Sequence, residues 1–495
     1  MDRTQSERPP SAGAAPRFQR NSPAGRWGSR IHGPPGQGRT RRQLPVQAGR
    51  IRVDCCGLEQ GPAESAPVRD LRRCRVPRAS TPQGRWRVHF FEHLERADLP
   101  RVEHAQVRRA TGFVDRLLGG YVSLFNERLK PMKPIALVNG MAAYDLTQPP
   151  MGSEPGARVL RTGFEYVVLR REPRPINMVL MVNSACNMAC AHCSARTYLK
   201  SGRPSLTLDE IKSLIDQFLD LGGASFILSG GEPTLHPNVL DIVSHADKSK
   251  AVVAMFTNGT RLPDLANELK SAGLFGTLVS IDSADPAHHD RLRGFDGAFR
   301  QAVRGIEKLL AEGMLAGIST YVSRRGLDGG AFETAVDLGT RLGVHQLFVF
   351  DAVPTGALID KQDVMLGPDG RVRLRGLIKA QNANPSGPAV MGQSWVNSRE
   401  GFGCFAGFYQ IYVNAAGDVT PCDFTPITFG NVRKEPLAVI WKRLRESEDW
   451  GERFHECRMQ DPDFRRRTID LLPPGTEFPV PYETIRRLRR EKLGE

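Results

Sequence analysis

The most constraining feature of the sequence is a regular alternation of short apolar runs with helix-period segments between residues 176 and 350. Strands separated by helices are typical of parallel βα units. Right-handed crossovers place successive strands side by side, so such a chain curls into a complete or partial barrel. The predicted strands are Ile176–Val182, Ala224–Leu228, Ala251–Phe256, Gly276–Ile281, Ala316–Val322 and Gln346–Phe350, with helices at 207–221, 237–247, 263–272, 297–312 and 331–342.

The rest of the 495-residue chain divides by composition. Residues 1–80 are rich in Arg, Pro and Gly and have no hydrophobic period, so we expect a disordered extension. We expect a helical and irregular region at 81–173, including an amphipathic helix within 104–130 and a possible hairpin near Phe164–Leu169. The barrel would span 174–355. A linker at 356–403, a small α+β domain at 404–460 and a charged tail at 461–495 would follow it.

Net charge and hydropathy limit the partners of the folded part. The chain carries a net charge of +14, but +10 of this lies in residues 1–100, so a basic groove spread over the fold is not indicated. Nucleic acid is therefore not expected as a substrate of the folded part. A basic tail that contacts RNA stays open. No apolar run approaches the roughly 18 residues of a membrane span, and no secretory signal is seen, so a cytoplasmic protein is expected.

Three cysteines lie on one short loop after the first barrel strand, in the pattern Cys186-x3-Cys190-x2-Cys193. Three thiolates so placed can bind one iron–sulfur cluster, and in a four-iron cubane they leave one iron open to a small molecule. The alternative is a zinc site, with His192 as a poorly placed fourth ligand. Cys55, Cys56 and Cys74 fall in the predicted disordered extension and are interpreted as incidental thiols.

This cysteine loop, in its place after the first strand, resembles the hallmark of the radical S-adenosylmethionine (SAM) superfamily. The resemblance covers about residues 174–355 and implies a (β/α)6 partial TIM-like barrel, a [4Fe-4S] cluster on Cys186, Cys190 and Cys193, and SAM as cofactor. His192 stands where the family often has an aromatic residue before the third cysteine, which alters the surroundings of the cluster.

Polar motifs end the next three strands at the positions where the family binds SAM. The resemblance implies that Glu232 and the glycines before it bind the methionine amino group, and that the motif after the fourth strand contacts the ribose or methionine carboxylate. Each residue alone could be an ordinary turn or cap residue. The implied cofactor-binding residues are Gly230, Gly231, Glu232 and Pro233, then Thr257 and Asn258, then Ser280 and Asp282. The charged loop at residues 288–294 also resembles relatives, with no role assigned.

The C-terminal cysteines resemble the SPASM domain and its shorter twitch form, which hold auxiliary iron–sulfur clusters. Cys404-x12-Gly417-x4-Cys422 would place both thiols at one end of a hairpin that turns at the glycine, and Cys457 would be a third ligand. A fourth ligand could be a side chain such as Asp461, a substrate atom or nothing. Buried structural thiols or a zinc site are the alternatives.

The resemblance implies reductive cleavage of SAM to a 5′-deoxyadenosyl radical and hydrogen abstraction from a small-molecule or peptide substrate, hence an oxidoreductase. A peptide maturase that forms cross-links is one alternative. A non-catalytic electron carrier or an RNA-modifying protein is another, although a pure carrier needs no Gly-Gly-Glu-Pro motif. The electron donor would be a reductase or a protein of the flavodoxin or ferredoxin type, and no membrane partner is expected.

Overall fold

The computed structural model describes Tyr121 and residues 123–495, all within the compact unit Arg85–Glu495. The disordered extension predicted for residues 1–80, and most of the helix predicted within 104–130, lie outside the described residues, although the backbone at 123–129 is helical. A hairpin of β1 (Ala136–Val138) and β2 (Met141–Ala143) follows. Its two turn residues, Asn139 and Gly140, both have positive φ, as a two-residue turn that matches strand twist requires.

A helix, α1 (Glu154–Val167), occupies the region where the sequence suggested irregular structure and a hairpin at Phe164–Leu169, so that prediction is wrong. The Ser153 hydroxyl accepts a hydrogen bond from the Gly156 amide at 3.1 Å and caps the helix start. The helix is amphipathic, and packing of buried Leu160 together with capping by Ser153 stabilises it.

A ten-stranded sheet forms the centre of the described chain and confirms the predicted partial barrel. Strands β3 to β9 pair in parallel and in sequence order, and β3 to β8 coincide with the six predicted strands to within one or two residues. They are β3 (Asn177–Met181), β4 (Ser225–Ser229), β5 (Val252–Thr257), β6 (Gly276–Ser280), β7 (Leu315–Val322), β8 (Gln346–Asp351) and β9 (Ala389–Gly392).

The strands bury both faces, which explains their continuous apolar runs. In β3, Met178 and Leu180 belong to the large core beneath the helices. Val179 and Met181 point to the opposite face and belong to a smaller cluster inside the barrel. Polar side chains that line the cavity of the barrel lie mostly, though not only, at strand ends, since Ser319 and Thr320 lie within a strand.

Helices cover the outer face of the sheet between successive strands. The helix that begins at Leu208 has the predicted capping box: the Thr207 hydroxyl accepts from the Glu210 amide at 3.3 Å, and the Glu210 carboxylate accepts from the Thr207 amide at 2.8 Å. The helices are α2 (Arg196–Leu199), α3 (Leu208–Asp220), α4 (Val239–His245), α5 (Leu262–Ser271), α6 (Pro286–Arg293), α7 (Ala298–Ala311), α8 (Arg324–Asp328) and α9 (Ala331–Leu342).

The segment after β2 fills the end of the barrel at which the strands begin. Leu146 is fully buried, and a Cβ at Gly276 or Gly317 would lie within 2.6 Å of its atoms. The Leu146 amide donates to the Gln346 side chain at 2.8 Å, and the Ser225 hydroxyl donates to the Thr147 carbonyl. The opposite end, where the strands finish, is thereby left as the open end of the barrel.

The predicted linker at 356–403 is wrong, because it contains regular structure. It holds α10 (Pro368–Ala383), β9 and α11 (Gln393–Val396), and β9 pairs in parallel with β8 as a further βα unit. The strand is short and the helix is strongly polar, with Leu374 and Ile378 as its buried residues, so neither is prominent in the sequence.

The C-terminal region extends the same sheet. Strand β10 (Gln410–Val413) pairs in parallel with β3, and β11 (Asp418–Thr420) and β13 (Gly430–Asn431) continue in antiparallel pairing. Gly417, with φ of 89°, lies in the turn between β10 and β11, as the sequence predicts. The remaining elements are β12 (Ile427–Thr428), β14 (Val480–Pro481), α12 (Leu437–Arg445), α13 (Pro462–Arg466) and α14 (Tyr482–Leu493).

The charged tail at 461–495 is folded, which its composition did not indicate. Helix α14 buries Tyr482 and Ile485, and the Arg489 guanidinium pairs with the buried Asp449 carboxylate at 2.7 Å. The tail therefore stays ordered because its apolar side and one of its charges are both buried. Across the described residues, no helix is long and apolar enough to span a membrane.

Candidate radical SAM site and auxiliary cluster site

The loop that follows β3 carries Cys186, Cys190 and Cys193 to the open end of the barrel. All three thiols are free, and the backbone of the loop is tied to its neighbours. The Ala189 and Ala191 amides donate to the carbonyls of Arg293 and Leu292, at the end of α6, at 3.0 and 2.9 Å. Because these bonds involve backbone atoms, they hold the loop open without using the thiols.

The Gly-Gly-Glu-Pro motif after β4 packs directly beneath that loop. The Gly231 and Glu232 amides donate to the carbonyls of Asn183 and Ala185 at 3.0 and 2.7 Å. A Cβ at Gly231 would lie 2.2 Å from the Ala185 oxygen, so only glycine permits this approach. The motif is thus placed against the cysteine loop, as the resemblance implies.

Glu232 is fully buried and holds the ends of two strands together. Its carboxylate accepts from the Thr234 hydroxyl and the Thr257 hydroxyl, both at 2.6 Å, and from the Asn258 amide at 2.7 Å. Burial raises the pKa of Glu232, and these hydrogen bonds oppose that rise. Asn258 in turn donates from its side chain to Asn187 of the cysteine loop at 2.8 Å. The motifs after β4 and β5 and the cysteine loop therefore form one connected network.

A buried charge cluster lies beside the cysteines. The Asp282 carboxylate, at the end of β6, pairs with the Arg293 guanidinium at 2.6 Å and with the His192 ring at 3.1 Å. Burial alone would raise the pKa of Asp282, but the charges of Arg293 and His192 outweigh it and hold the pKa well below its usual range. The Asp282 carboxylate is engaged within the protein, so it would act on a ligand through its two partners.

His192 is held in a fixed orientation. Its ring stacks on Tyr321 with centroids 4.8 Å apart and 12° between the planes, and its Nε2 faces Asp282. Its Nδ1 is buried without a hydrogen-bond partner in the described part of the chain. The histidine therefore supplies a flat ring surface, like the aromatic residue it replaces, together with one free polar atom.

Cys404, Cys422 and Cys457 come together at the C-terminal end. Cys404 precedes β10 and Cys422 follows β11, so the hairpin brings them to one side, and all three residues are buried and free. Burial, the Asp423 carboxylate and then Cys404 raise the pKa of Cys422 to about 12. Bound metal would supply the positive charge that stabilises the thiolates here.

Both cysteine triads line a single cavity of about 580 Å³. Tyr412 also lines the cavity, and its ring packs against that of buried Tyr198 with centroids 5.5 Å apart. A molecule in the cavity can therefore face both triads at once.

The donor atoms fit the two kinds of cofactor. The Cys186 sulfur accepts from the Met188 amide at 3.4 Å, and the Cys190 sulfur accepts from Arg293 at 3.7 Å, contacts that suit anionic sulfur. Within the described residues, no three His, Cys, Asp or Glu side chains are grouped as ligands of one metal ion. The free Nδ1 of His192 and the two Gly residues beneath the loop suit a polar ligand such as SAM.

The structure brings most of the predicted site residues to this cavity. Cys186, Cys190, Cys193, Gly230, Gly231, Glu232, Thr257, Asn258, Ser280, Asp282, Cys404, Cys422 and Cys457 line it, and Pro233 is buried at the start of a 3-10 turn, Pro233–Leu235. Asp461, in contrast, caps α13 through the Asp463 amide at 2.9 Å and does not line the cavity.

Sequence reasoning missed several residues of the site. Arg293 was part of a charged loop without a role, and Tyr321, Gln393, Asp423 and Arg453 carried no motif. The one usable signal was the charged loop that follows the fourth predicted strand, since sites of parallel sheets gather at strand ends. Asp423 is adjacent to the predicted ligand Cys422, whereas Tyr321, Gln393 and Arg453 reach the cavity from elements that are distant in sequence.

Comparison with known proteins supports the same division of the chain. The model of the radical SAM superfamily matches residues 180–339, and the model of SPASM, an iron–sulfur cluster-binding domain, matches residues 404–464. An AdoMet-dependent heme synthase of Methanosarcina barkeri is 30% identical over 310 residues, which cover 57% of this chain and 88% of the relative.

Two further proteins that resemble this chain differ from the heme synthase in the reaction or the bound molecule that their names state. A GTP 3′,8-cyclase of Desulforamulus reducens is 26% identical over 304 residues, which cover 55% of this chain and 91% of the relative. The crystal structure of Streptococcus suis SuiB bound to precursor peptide SuiA aligns with a TM-score of 0.47 and 14% identity, covering 66% of this chain and 77% of SuiB.

Motif, fold and similarity agree on the cofactors: the chain uses a [4Fe-4S] cluster, SAM and an auxiliary iron–sulfur cluster. The barrel places the cysteine loop and the Gly-Gly-Glu-Pro motif together, and a second cysteine triad follows in the region matched by SPASM. The chain is therefore a member of the radical SAM superfamily and belongs to its SPASM-domain subfamily.

Proposed function

We propose that this radical SAM enzyme oxidises a large, mainly apolar small molecule that carries carboxylates, and that iron porphyrins are its substrate class. The observation that carries the proposal is the single cavity of about 580 Å³ whose wall includes both cysteine triads. Its size is within the range of small-molecule sites, and most of its wall is hydrophobic or aromatic.

Cys186, Cys190 and Cys193 would hold the [4Fe-4S] cluster, and Gly230, Gly231 and Glu232 would contact the amino-acid end of SAM. When bound and reduced, this pair of cofactors supplies a 5′-deoxyadenosyl radical, which removes a hydrogen atom from the substrate. Side chains of the protein balance charge and hold the site in place. Arg293 offsets the negative charge of Cys190, and Glu232 links the ends of β4 and β5 beside the proposed SAM site.

Aromatic side chains at the ends of β5 and β8 would exclude water from the reacting atoms. Phe256, Phe348 and Phe350 pack with ring centroids 4.7 to 6.1 Å apart, and Phe350 also contacts Phe424 near the second triad. All four rings line the cavity. They offer a broad apolar surface against which a flat, conjugated substrate can pack.

Arginine and histidine side chains lie at another part of the cavity wall. Arg128, Arg453 and His455 line it, and Arg399 is close enough to affect His455. None of the three arginines forms an ion pair within the described part of the chain. The Nε of Arg453 and the Nδ1 of His455 have no hydrogen-bond partner there either. Carboxylates of a substrate would satisfy these groups, and the similarity to a heme synthase favours an iron porphyrin.

Cys404, Cys422 and Cys457 would hold the auxiliary cluster on the far side of the substrate. From there it could accept the electron that an oxidised substrate releases, which makes the net reaction an oxidation. A flavodoxin, ferredoxin or other reductase would supply the electron that starts each turnover.

The test is an anaerobic titration of the reconstituted protein with haemin, followed by the Soret absorption band. We expect a saturable shift, and Arg453→Gln should weaken binding about tenfold because one charged hydrogen bond is lost. Arg341→Gln, on the exposed side of α9, should not change it. The absence of a saturable shift, or a preference for GTP or a peptide in competition, would contradict the proposal.

A further inference from the structure

We propose that Gln393 and Asp351 form a hydrogen-bonding subsite of the cavity, and that this subsite binds a neutral carboxamide or protonated carboxyl group of the substrate. Neither residue has a role in the proposed function. The inference rests on that function only in taking the cavity as the substrate site, and the experiment below uses probes other than a porphyrin.

Two neighbouring strand ends carry these residues. Strands β8 and β9 pair in parallel, with Val349 opposite Gly392. Asp351 is the last residue of β8, and Gln393 directly follows β9, so both lie at the carboxyl ends of adjacent strands. Both residues line the cavity. The pairing of the two strands therefore places an amide and a carboxyl group on one part of its wall.

The side-chain amide of Gln393 is buried without being used by the protein. The residue is 6% exposed, and neither its Oε1 nor its Nε2 has a hydrogen-bond partner among the described residues. Gln346, which is also buried, shows the usual arrangement: its Oε1 accepts from the Leu146 amide at 2.8 Å, and its Nε2 donates to Asp145 at 3.2 Å. Because an unpaired buried amide costs free energy, the free atoms of Gln393 point to a ligand.

Asp351 is held in place through one oxygen and is free at the other. Its Oδ2 accepts from the Gln460 side chain at 2.8 Å, and the same Gln460 nitrogen donates to the Ala352 carbonyl at 2.9 Å. Asp351 is only 2% exposed, and its Oδ1 has no hydrogen-bond partner in the part of the chain that the structure describes. This oxygen therefore lacks a hydrogen donor.

The three free atoms define the chemistry of the missing group. The oxygens of Gln393 and Asp351 accept hydrogen bonds, and the Gln393 nitrogen donates. A primary carboxamide matches all three, since it has two N–H bonds and one carbonyl oxygen. A protonated carboxyl group matches two of them, whereas an ester or an ionised carboxylate has no hydrogen to donate. The subsite thus differs from the arginines of the cavity, which favour an ionised carboxylate.

The wall beside the subsite favours a flat ring next to that group. Phe348 and Phe350, on the same strand as Asp351, line the cavity with ring centroids 4.7 Å apart. Suitable probes are therefore naphthalene carboxamide, the matching carboxylic acid and the methyl ester of that acid. They share one aromatic ring system and differ only in the hydrogen-bonding group.

The test measures the dissociation constants of the three probes with the full, anaerobically reconstituted chain. The carboxamide or the acid should bind about tenfold more tightly than the ester, and the tighter of the two identifies the group that the subsite prefers. Gln393→Met, which keeps the length of the side chain, should remove this preference. Asp351→Asn, which can place a donor where an acceptor now lies, should reduce it. Gln301→Met, on α7 and outside the cavity, is the control and should leave all three values unchanged.

Thermal unfolding without a probe separates a binding role from a structural one. Gln393→Met removes an amide that the protein leaves unpaired, so its melting temperature should rise by about 2 °C. Gln346→Met removes an amide with both hydrogen bonds made, so its melting temperature should fall.

Four outcomes would overturn the proposal. They are equal binding of the ester and the other two probes by the parent chain, no measurable binding of either the carboxamide or the acid, a lower melting temperature with unchanged probe binding in Gln393→Met, and loss of SAM binding in that variant, which would assign the subsite to the cofactor. A missing Soret shift with haemin would contradict the proposed function and leave the ranking of the probes as it is, so the two failures are distinguishable.

Discussion

The Arg293 guanidinium lies 3.7 Å from the Cys190 sulfur through one nitrogen and 2.6 Å from the Asp282 carboxylate through the other. One side chain thus joins a proposed cluster ligand to the buried carboxylate at the end of β6. Since the backbone of the same residue binds the cysteine loop through Ala189, Arg293 controls both the position of that loop and its charge.

Replacement of Arg293 by Gln should destabilise the protein. The buried Asp282 carboxylate would lose its main counter-charge, and breaking such a pair costs about 3–5 kcal/mol. The free energy of unfolding in denaturant measures this loss, and the reduction potential of the N-terminal cluster should fall because a positive charge is removed. Arg291→Gln, on the exposed face of the same helix, is the control. Similar stability of the two variants would contradict this role of Arg293.

Substitutions in the two cysteine triads should have different effects on SAM cleavage. Cys186→Ala, Cys190→Ala or Cys193→Ala should abolish release of 5′-deoxyadenosine in the presence of dithionite, because the open iron is lost. Cys404→Ala and Cys422→Ala should lower iron content while sparing much of the cleavage that occurs without substrate. Product chromatography and iron analysis check both effects, and wild-type iron in the second pair would argue against an auxiliary site there.

Acidification should destabilise the fold through His289. Burial, with an added contribution from Arg293, lowers the pKa of His289 from 6.5 to about 4, and its Nδ1 accepts a hydrogen bond from the Asp282 amide at 3.2 Å. The unfolded state therefore binds a proton between pH 6.5 and 4 that the folded state excludes. Stability should be fully present above pH 6.5 and fall by up to about 3 kcal/mol as the pH drops through this window.

His289→Asn isolates this effect, since the amide oxygen can accept the same hydrogen bond and does not titrate. Denaturant unfolding at pH 7 and pH 5 should show a smaller pH dependence in the variant than in the parent. An equal pH dependence in both proteins would assign the effect to other groups.

Gly356→Ala should disturb the cysteine loop from the far side of the barrel. Gly356 has φ of 57°, and a Cβ there would lie 2.3 Å from the carbonyl oxygens of Cys193 and Ser194. Gly343→Ala is the matched control, because its φ is also positive, at 70°, but no atom lies within 4 Å. Both variants should lose about 1–2 kcal/mol of stability from the positive φ, and Gly356→Ala should lose more because its Cβ meets backbone oxygens. Only Gly356→Ala should also lose iron from the N-terminal cluster, and equal iron in the two would contradict the expectation.

Much of the barrel was predictable because its signals are local. Strands buried on both faces need continuous apolar runs. The capping box needs only the four consecutive residues from Thr207 to Glu210. The predicted linker and tail failed for the opposite reason. Strand β9 is stabilised by pairing with β8, and α14 by the ion pair of Arg489 with Asp449, and neither partner is close in sequence.

For the site, local spacing was enough to identify the cysteine loop, the Gly-Gly-Glu-Pro motif and the hairpin that turns at Gly417. It was not enough to show that Arg293 reaches Cys190, that Asp423 rather than Asp461 lines the cavity, or that both triads share one cavity. Those relationships join residues up to about 270 positions apart, as for Cys186 and Cys457. They depend on which strand ends meet when the sheet curls, and that is set by packing of the whole sheet rather than by any short stretch of chain.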